Sequence, residues 1–140
     1  MEIFTNSVKQ TKKLGEFLAK EILSASPLEE RAFVLAMKGD LGSGKTTFLQ
    51  GFAKGLGIKE KITSPTFVIM KKFKTFYHFD CYRAERAKDI LDLGFKEIIN
   101  NPKNIVAIEW ADKIKRILPK SSVWINFKFV DKNKRKIMIE

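Results

Sequence analysis

Apolar positions recur along this chain in two rhythms, one of three and four residues and one of short unbroken runs. Leu14, Phe17, Leu18 and Ile22 fall at helical spacing and predict a helix with one apolar face. Ser7-Val8-Lys9-Gln10, just ahead of it, has the S-x-x-Q form of a capping box, and Ser24-Ala25-Ser26-Pro27 closes the segment. Residues 2–5 fit a short edge strand. Ala32-Phe33-Val34-Leu35-Ala36-Met37 is an apolar run rich in strand formers, after which residues 47–56 return to helical spacing and stop at Gly57. In Ile62-Thr63-Ser64-Pro65-Thr66-Phe67, Pro65 removes a backbone donor and biases Ser64 away from helix, so an ordered loop entering a strand is expected. Residues 67–74 and 75–79 read as two strands with a weakly marked turn between them. Residues 85–100 are mostly helical, interrupted at Gly94, and Asn100-Asn101-Pro102 breaks the pattern. Ile105-Val106-Ala107-Ile108 is wholly apolar, the pattern of a strand buried on both faces of a parallel sheet, and Glu109 terminates it. Residues 111–118 read as a helix closed by Pro119, and residues 123–130 and 135–140 as strands around a polar turn.

Alternating strands and helices predict an α/β fold: a P-loop NTPase-like sheet with a parallel centre, flanking helices and an antiparallel C-terminal hairpin. With 140 residues, 44% of them hydrophobic, residues 1–140 are expected to form a single P-loop ATPase domain. The P-loop expectation comes from Gly39-Asp40-Leu41-Gly42-Ser43-Gly44-Lys45-Thr46, which has the form G-x-x-x-x-G-K-[ST] and lies where the strand hands over to the helix. A glycine-rich turn lets consecutive backbone N–H groups converge on a phosphate, and the helix behind it offers its positive end. Lys45 then places a charge on the β- and γ-phosphates, and Thr46 offers a hydroxyl to magnesium. The four fixed positions arise by chance in roughly half a per cent of chains this long, so the flanking strand and helix carry much of the inference.

Charge changes the picture less than its size suggests. The formal net charge is +11, but 22 of the 27 basic residues are Lys and they are scattered, without an Arg-rich tract or interleaved stacking aromatics. A solvated lysine surface and an electrostatic footprint for RNA or an acidic partner both remain open. Most of the 12 Phe fall on strand and helix faces and read as core. No apolar stretch approaches the ~20 residues of a membrane span and the N-terminal residues lack the features of a secretion signal, so a cytoplasmic protein with no membrane association is expected. Cys81 is the only cysteine, which excludes an internal disulfide; it reads as a small residue near a strand end. One His and one Cys cannot build a structural zinc site. Guanine specificity is unsupported, because Asn133-Lys134-Arg135-Lys136 lacks the Asp of N-K-x-D, and the five dispersed arginines do not form a kinase lid.

A P-loop needs an acid from a neighbouring strand to hold magnesium or orient water. Glu109 follows its apolar strand as in a Walker B element, and Asp80 follows Phe76-Tyr77-His78-Phe79 at another expected strand end. The alternative for each is a solvated acid or a helix cap. His78 reads as a local hydrogen-bonding residue rather than a general base.

Taken together the motifs resemble the TsaE (YjeE) family of bacterial ATPases required for threonylcarbamoyladenosine modification of tRNA. The match runs through Thr11 and Gly15, the P-loop with Thr47-Phe48, Ser64-Pro65-Thr66-Phe67, His78-Phe79-Asp80-Cys81-Tyr82-Arg83, Leu93-Gly94-Phe95-Lys96-Glu97 and Glu109-Trp110; Ala111 departs from the Pro often found after E-W. The resemblance implies that Asp40, Leu41, Gly42, Ser43, Gly44, Lys45, Thr46 and Thr47 hold ATP, with Lys45 on the phosphates and Thr46 on Mg2+. It implies that Glu109 completes the metal site directly or through water, and that Asp80 supports the metal or orients the attacking water. Thr11 is expected near the adenine, with Arg135 beside it from the hairpin. Thr66 is expected to sense the γ-phosphate and Trp110 to couple to a partner or to serve as a buried anchor. Similar proteins act on the TsaD and TsaB subunits, TsaD being the transferase, and meet tRNA only through that complex. Two other readings remain: a nucleotide-dependent binding module in which hydrolysis is incidental, and a direct RNA-binding protein resting on charge alone.

Overall fold

A computed structural model describes residues 1–25, 30–40, 42–63 and 69–140. Leu41, the helix end at Ser26-Pro27, the Ser64-Pro65-Thr66-Phe67 loop and the first residues of the strand expected from Phe67 lie outside the described residues. The chain forms two compact units: Met1–Ser26, Gly39–Ser64 and Asn126–Glu140 in one, Pro27–Lys38 and Pro65–Ile125 in the other.

The first unit holds β1 (Glu2–Thr5), α1 (Val8–Ser24), α2 (Lys45–Gly55) and most of a C-terminal hairpin of β6 (Val123–Phe129) and β7 (Arg135–Ile139). β1 pairs antiparallel with β7, Ile3 opposite Ile137 and Thr5 opposite Arg135. Half of the expected capping box forms: Ser7 Oγ accepts the N–H of Gln10 at 3.1 Å, whereas Gln10 Oε1 accepts the N–H of Asn6, one residue before the cap, at 2.7 Å. The buried face of α1 differs from expectation. Thr11, Gly15 and Ala19 are buried, whereas Leu14, Leu18 and Ile22 are half-buried and Phe17 is exposed. Glycine sets this packing, since α1 and α2 approach backbone to backbone. A Cβ at Gly15 would fall 2.2 Å from the carbonyl oxygen of Phe48, and one at Gly51 only 1.9 Å from that of Lys12. Behind α2, Phe48 meets Phe127 edge to face at 5.3 Å and stacks near Phe52.

The second unit holds β2 (Phe33–Gly39, as far as Lys38), β3 (Met70–Phe73), β4 (Phe76–Asp80), α3 (Ala87–Leu91), α4 (Phe95–Ile99), β5 (Ile105–Glu109) and a 3-10 helix (Ala111–Ile117). β2 and β4 both run parallel to β5, and β3 pairs antiparallel with β4 at the edge, so the expected parallel centre is present. One face of these strands carries Val34, Ala36, Phe79, Val106 and Ile108, buried with Ile90, Phe95, Ile99, Ala111 and Ile114 from the helices. Phe79 and Phe95 meet edge to face at 5.3 Å. Gly94 separates α3 from α4 with φ +83, a backbone that L side chains rarely adopt. The helix expected over residues 111–118 is a 3-10 helix with a kink at Ile114. Its turns close through i to i+3 bonds, Lys113 N–H to Trp110 O and Leu118 N–H to Lys115 O.

The Phe positions divide unevenly. Phe48, Phe52, Phe76, Phe79, Phe95 and Phe127 are buried, while Phe4, Phe17 and Phe129 are exposed. Cys81 is buried, and burial, reinforced by the charge of Asp80, pushes its thiol up to about 12, so it is an inert core residue near a strand end.

Candidate functional site

In the first unit the phosphate loop is built by backbone conformation. Gly39, Gly42 and Gly44 have φ +147, +76 and +103. At Gly39 the requirement is double, since a Cβ there would also sit 2.5 Å from the carbonyl oxygen of Phe127. Gly44 is the left-handed N-cap of α2, its carbonyl accepting the N–H of Phe48 at 2.9 Å. Gly44 has no side chain with which to cap the helix, and a glycine at this position leaves the N-terminus of α2 open to the approach of an anion. Lys45 is buried and folds back on its own loop, donating to the carbonyls of Gly39 and, at 3.0 Å, of Asp40. Asp40 is exposed, and its carbonyl also accepts the N–H of Ser43. Thr46 and Thr47 follow in the first helical turn, both half-buried. Ser43 Oγ is buried without a hydrogen-bond partner among the described residues. An orphaned hydroxyl beside a loop of left-handed glycines fits a phosphate oxygen.

The structure brings Thr11 and Arg135 to the same loop. A Cβ at Gly44 would lie 3.6 Å from Arg135 Cγ and 3.7 Å from Thr11 Cγ2. Thr11 turns its methyl to Gly44, because its hydroxyl is engaged at 2.7 Å with Thr5 Oγ1 and at 3.2 Å with the carbonyl of Ser7. Arg135 is held by the hairpin: Nη1 donates to the carbonyls of Asp131 at 2.7 Å and Lys134 at 3.1 Å, and the guanidinium lies 4.7 Å over the exposed ring of Phe129. Phe129 is a neighbour that sequence reading did not single out; its place on the hairpin that carries Arg135 was the available signal. Lys12, Lys54, Lys59 and Lys61 also line an open groove of about 560 Å3, with Glu60 among them, which gathers part of the positive charge.

In the second unit the two candidate acids are register partners. Asp80 and Glu109 end the parallel strands β4 and β5 directly opposite one another, and Glu109 also pairs with Met37, two residues before Gly39. Both acids are buried, Glu109 2% exposed and Asp80 7%. The Cys81 N–H donates to the carbonyl of Glu109 at 3.0 Å and the Tyr82 N–H to Asp80 Oδ1 at 3.0 Å. His78, equally buried, places Nε2 2.8 Å from Glu109 Oε2. His78 is thus a hydrogen-bonding residue, as read from the sequence; its partner could only emerge once strand register was known. Trp110, immediately after Glu109, has φ +56 and ψ +40, a left-handed backbone that is a true outlier for a bulky residue and costs of order 1–2 kcal/mol. Its ring lies 5.1 Å from that of Tyr82, whose other neighbour is the Lys113 ammonium at 5.3 Å. Trp110 is half-buried and Tyr82 is exposed.

Among the described residues no group of three or more His, Cys, Asp or Glu side chains is arranged to hold a metal ion. A magnesium ion bound mainly through nucleotide phosphates and water needs only one or two protein oxygens, and the hydroxyl of Thr46, in the first turn of α2, is an oxygen of the kind that ion takes. No helix of the described residues is long and apolar enough to cross a membrane.

The family model for Threonylcarbamoyl adenosine biosynthesis protein TsaE matches residues 5–137. The tRNA threonylcarbamoyladenosine biosynthesis protein TsaE of Rickettsia felis is 36% identical over 138 residues, spanning 95% of this chain and 75% of the relative. Its namesake in Treponema pallidum is 32% identical over 142 residues and 99% of both chains, and that of Bacillus subtilis 41% identical over 108 residues, 74% of this chain and 66% of the relative. The crystal structure of Bacillus subtilis YdiB superposes with a TM-score of 0.76 at 32% identity, covering 99% of this chain and 83% of that one. The fold is accordingly P-loop NTPase-like, a mixed sheet with a parallel centre and flanking helices. By family model, relatives and fold alike, this chain belongs to the TsaE family.

Proposed function

We propose that this chain is a magnesium-dependent ATP-binding and ATP-hydrolysing accessory protein of bacterial tRNA threonylcarbamoyladenosine modification, acting on the TsaB–TsaD pair in the cytoplasm and meeting tRNA only through that complex. The observation that carries the reading is the phosphate loop, with three left-handed glycines, a glycine at the N-cap of α2 and the Ser43 hydroxyl, buried without a partner among the described residues. In this reading the backbone of residues 40–47 and Lys45 hold the phosphates, while Thr11 and Arg135 flank the adenine. Thr46 and Glu109 hold the metal, directly or through water. Bound magnesium would neutralise charge developing on the β- and γ-phosphate oxygens during transfer. Asp80 supports the metal or orients the attacking water, and Thr66 senses the γ-phosphate.

A route from nucleotide to partner is supported by the hydrogen bond from Tyr82 N–H to Asp80 and by the tilted ring contact of Tyr82 with Trp110, which tie an acid to the exposed Tyr82 and the half-buried Trp110. The same observation supports the second reading, a nucleotide-dependent binding module. ATP turnover by the protein alone and with the TsaB–TsaD pair separates them. Lys45→Ala is expected to lose ATP binding and to cut turnover at least about 100-fold, the cost of one charged donor at a transferring phosphoryl group. Asp80→Ala is expected to keep ATP bound and lose turnover. Wild-type turnover in Lys45→Ala would overturn the ATPase reading; full support of modification by a hydrolysis-dead Asp80→Ala would favour the binding module.

A further inference from the structure

We infer that His78 is a positioning residue for Glu109, fixing the carboxylate through the Nε2–H tautomer so that it can serve the metal; this rests on the reading of Glu109 given above. The geometry follows from strand register. On the parallel pair β4 and β5, His78 lies opposite Ala107 and Asp80 opposite Glu109, and the two-residue period puts all four side chains on one face. Ala107 is only a methyl group, so the imidazole leans along the strand over it to the diagonal neighbour, with Nε2 and Oε2 2.8 Å apart. Their side chains are 0% and 2% exposed, and a buried carboxylate needs a donor.

The other ring nitrogen decides the direction of the bond. His78 Nδ1 is buried and has no partner among the described residues. With the proton on Nδ1, a donor would be buried unsatisfied and the carboxylate would face a lone pair. With the proton on Nε2, the donor meets Oε2 in a charge-assisted bond and only an acceptor lone pair is left bare. Outer residues that hold a metal-binding carboxylate in this way typically contribute 10–100-fold in metal affinity or activity.

The test compares His78→Gln, His78→Asn, His78→Leu, Glu109→Gln and the double variant His78→Leu/Glu109→Gln. ATP affinity is measured by calorimetry without magnesium and across a magnesium titration, beside thermal melts. Gln carries its N–H donor near the position of Nε2, whereas Asn stops about one bond shorter. His78→Leu is expected to weaken apparent magnesium affinity about 10–100-fold with magnesium-free ATP binding unchanged. His78→Gln should restore most of the loss and His78→Asn should not. The double variant should be no worse than Glu109→Gln alone, because His78 acts only through Glu109. If His78→Leu fails to fold, the contrast between Gln and Asn carries the test. The inference is overturned, with the role of Glu109 intact, if Glu109→Gln is impaired while Gln and Asn at position 78 behave alike. Should Glu109→Gln keep wild-type magnesium dependence, the reading of Glu109 falls and the inference with it.

Discussion

The phosphate loop and the strand-end acids are built in opposite ways. The loop is made of backbone: Gly39, Gly42 and Gly44 adopt left-handed conformations, and Lys45 bonds to carbonyls five and six residues behind it. Everything it needs lies within a few residues of sequence. The acids depend on side chains placed by register, because Asp80, Glu109 and His78 meet only when β4 aligns with β5 across some 30 residues of chain. A local device can be read from spacing alone, whereas a register device becomes visible only after the sheet is paired.

The largest effect should come from separating the loop's glycines. Gly39→Ala combines a left-handed backbone with a Cβ 2.5 Å from the carbonyl oxygen of Phe127. Strain of about 1–2 kcal/mol and overpacking of about 1–3 kcal/mol together give a loss near 3 kcal/mol, roughly a 10 °C drop in melting temperature. Gly42→Ala has φ +76 but no atom of the described residues within 4 Å of the added methyl, so it should cost only the strain, about 1 kcal/mol. Wild-type melting temperatures for both variants would show that the loop tolerates a methyl at both positions, and the account of it as a backbone device would fail.

On the register side the informative position is Ala107, fully buried with Leu35 opposite it on β2 and His78 on β4. Ala107→Leu should cost about 1–3 kcal/mol by overpacking and push His78 away from Glu109. The expected result is a melting temperature several degrees lower, together with weakened magnesium dependence of ATP binding. A variant that melts lower yet keeps wild-type magnesium dependence would separate the packing of this face from the acids and break the comparison.

These two regions also explain what could be read in advance. The N-cap Ser7, the break at Gly94, the strand ending in Glu109 and the C-terminal hairpin are short-range signals, and all appear where the spacing puts them. The buried face of α1 was illegible for the opposite reason. Leu14 and Phe17 carry the hydrophobicity, but the stripe of Thr11, Gly15 and Ala19 wins because Gly51 on α2 admits the backbone of α1. The left-handed turn at Trp110 had no sequence cue, since a bulky residue there is held by its surroundings, the ring of Tyr82 among them. The same holds for the bond between His78 and Glu109, where residue type indicated a polar contact and only register named the partner.

The smallest expected effect sharpens the comparison from the hairpin turn, another short-range device. Asp131 Oδ1 accepts the N–H groups of Asn133 and Lys134, each at 2.9 Å, and these bonds hold its carboxyl below the usual carboxylate range although the side chain is fully exposed. A pKa lowered on folding means that the ionised group contributes stability above its unfolded value, about 3.9, and loses it as the pH falls through the folded value. Asp131→Asn keeps an acceptor but not the charge. Its melting temperature should lie slightly below that of the wild type at neutral pH and converge with it below about pH 4. Because the carbonyl of Asp131 also receives Arg135 Nη1, ATP affinity measured in parallel asks whether a turn built for local reasons also orders the residue beside Gly44. Unchanged affinity with a pH-dependent melting gap would confine the turn to stability. A gap that persists unchanged in acid would mean that something other than the charge of Asp131 separates the two side chains at this turn.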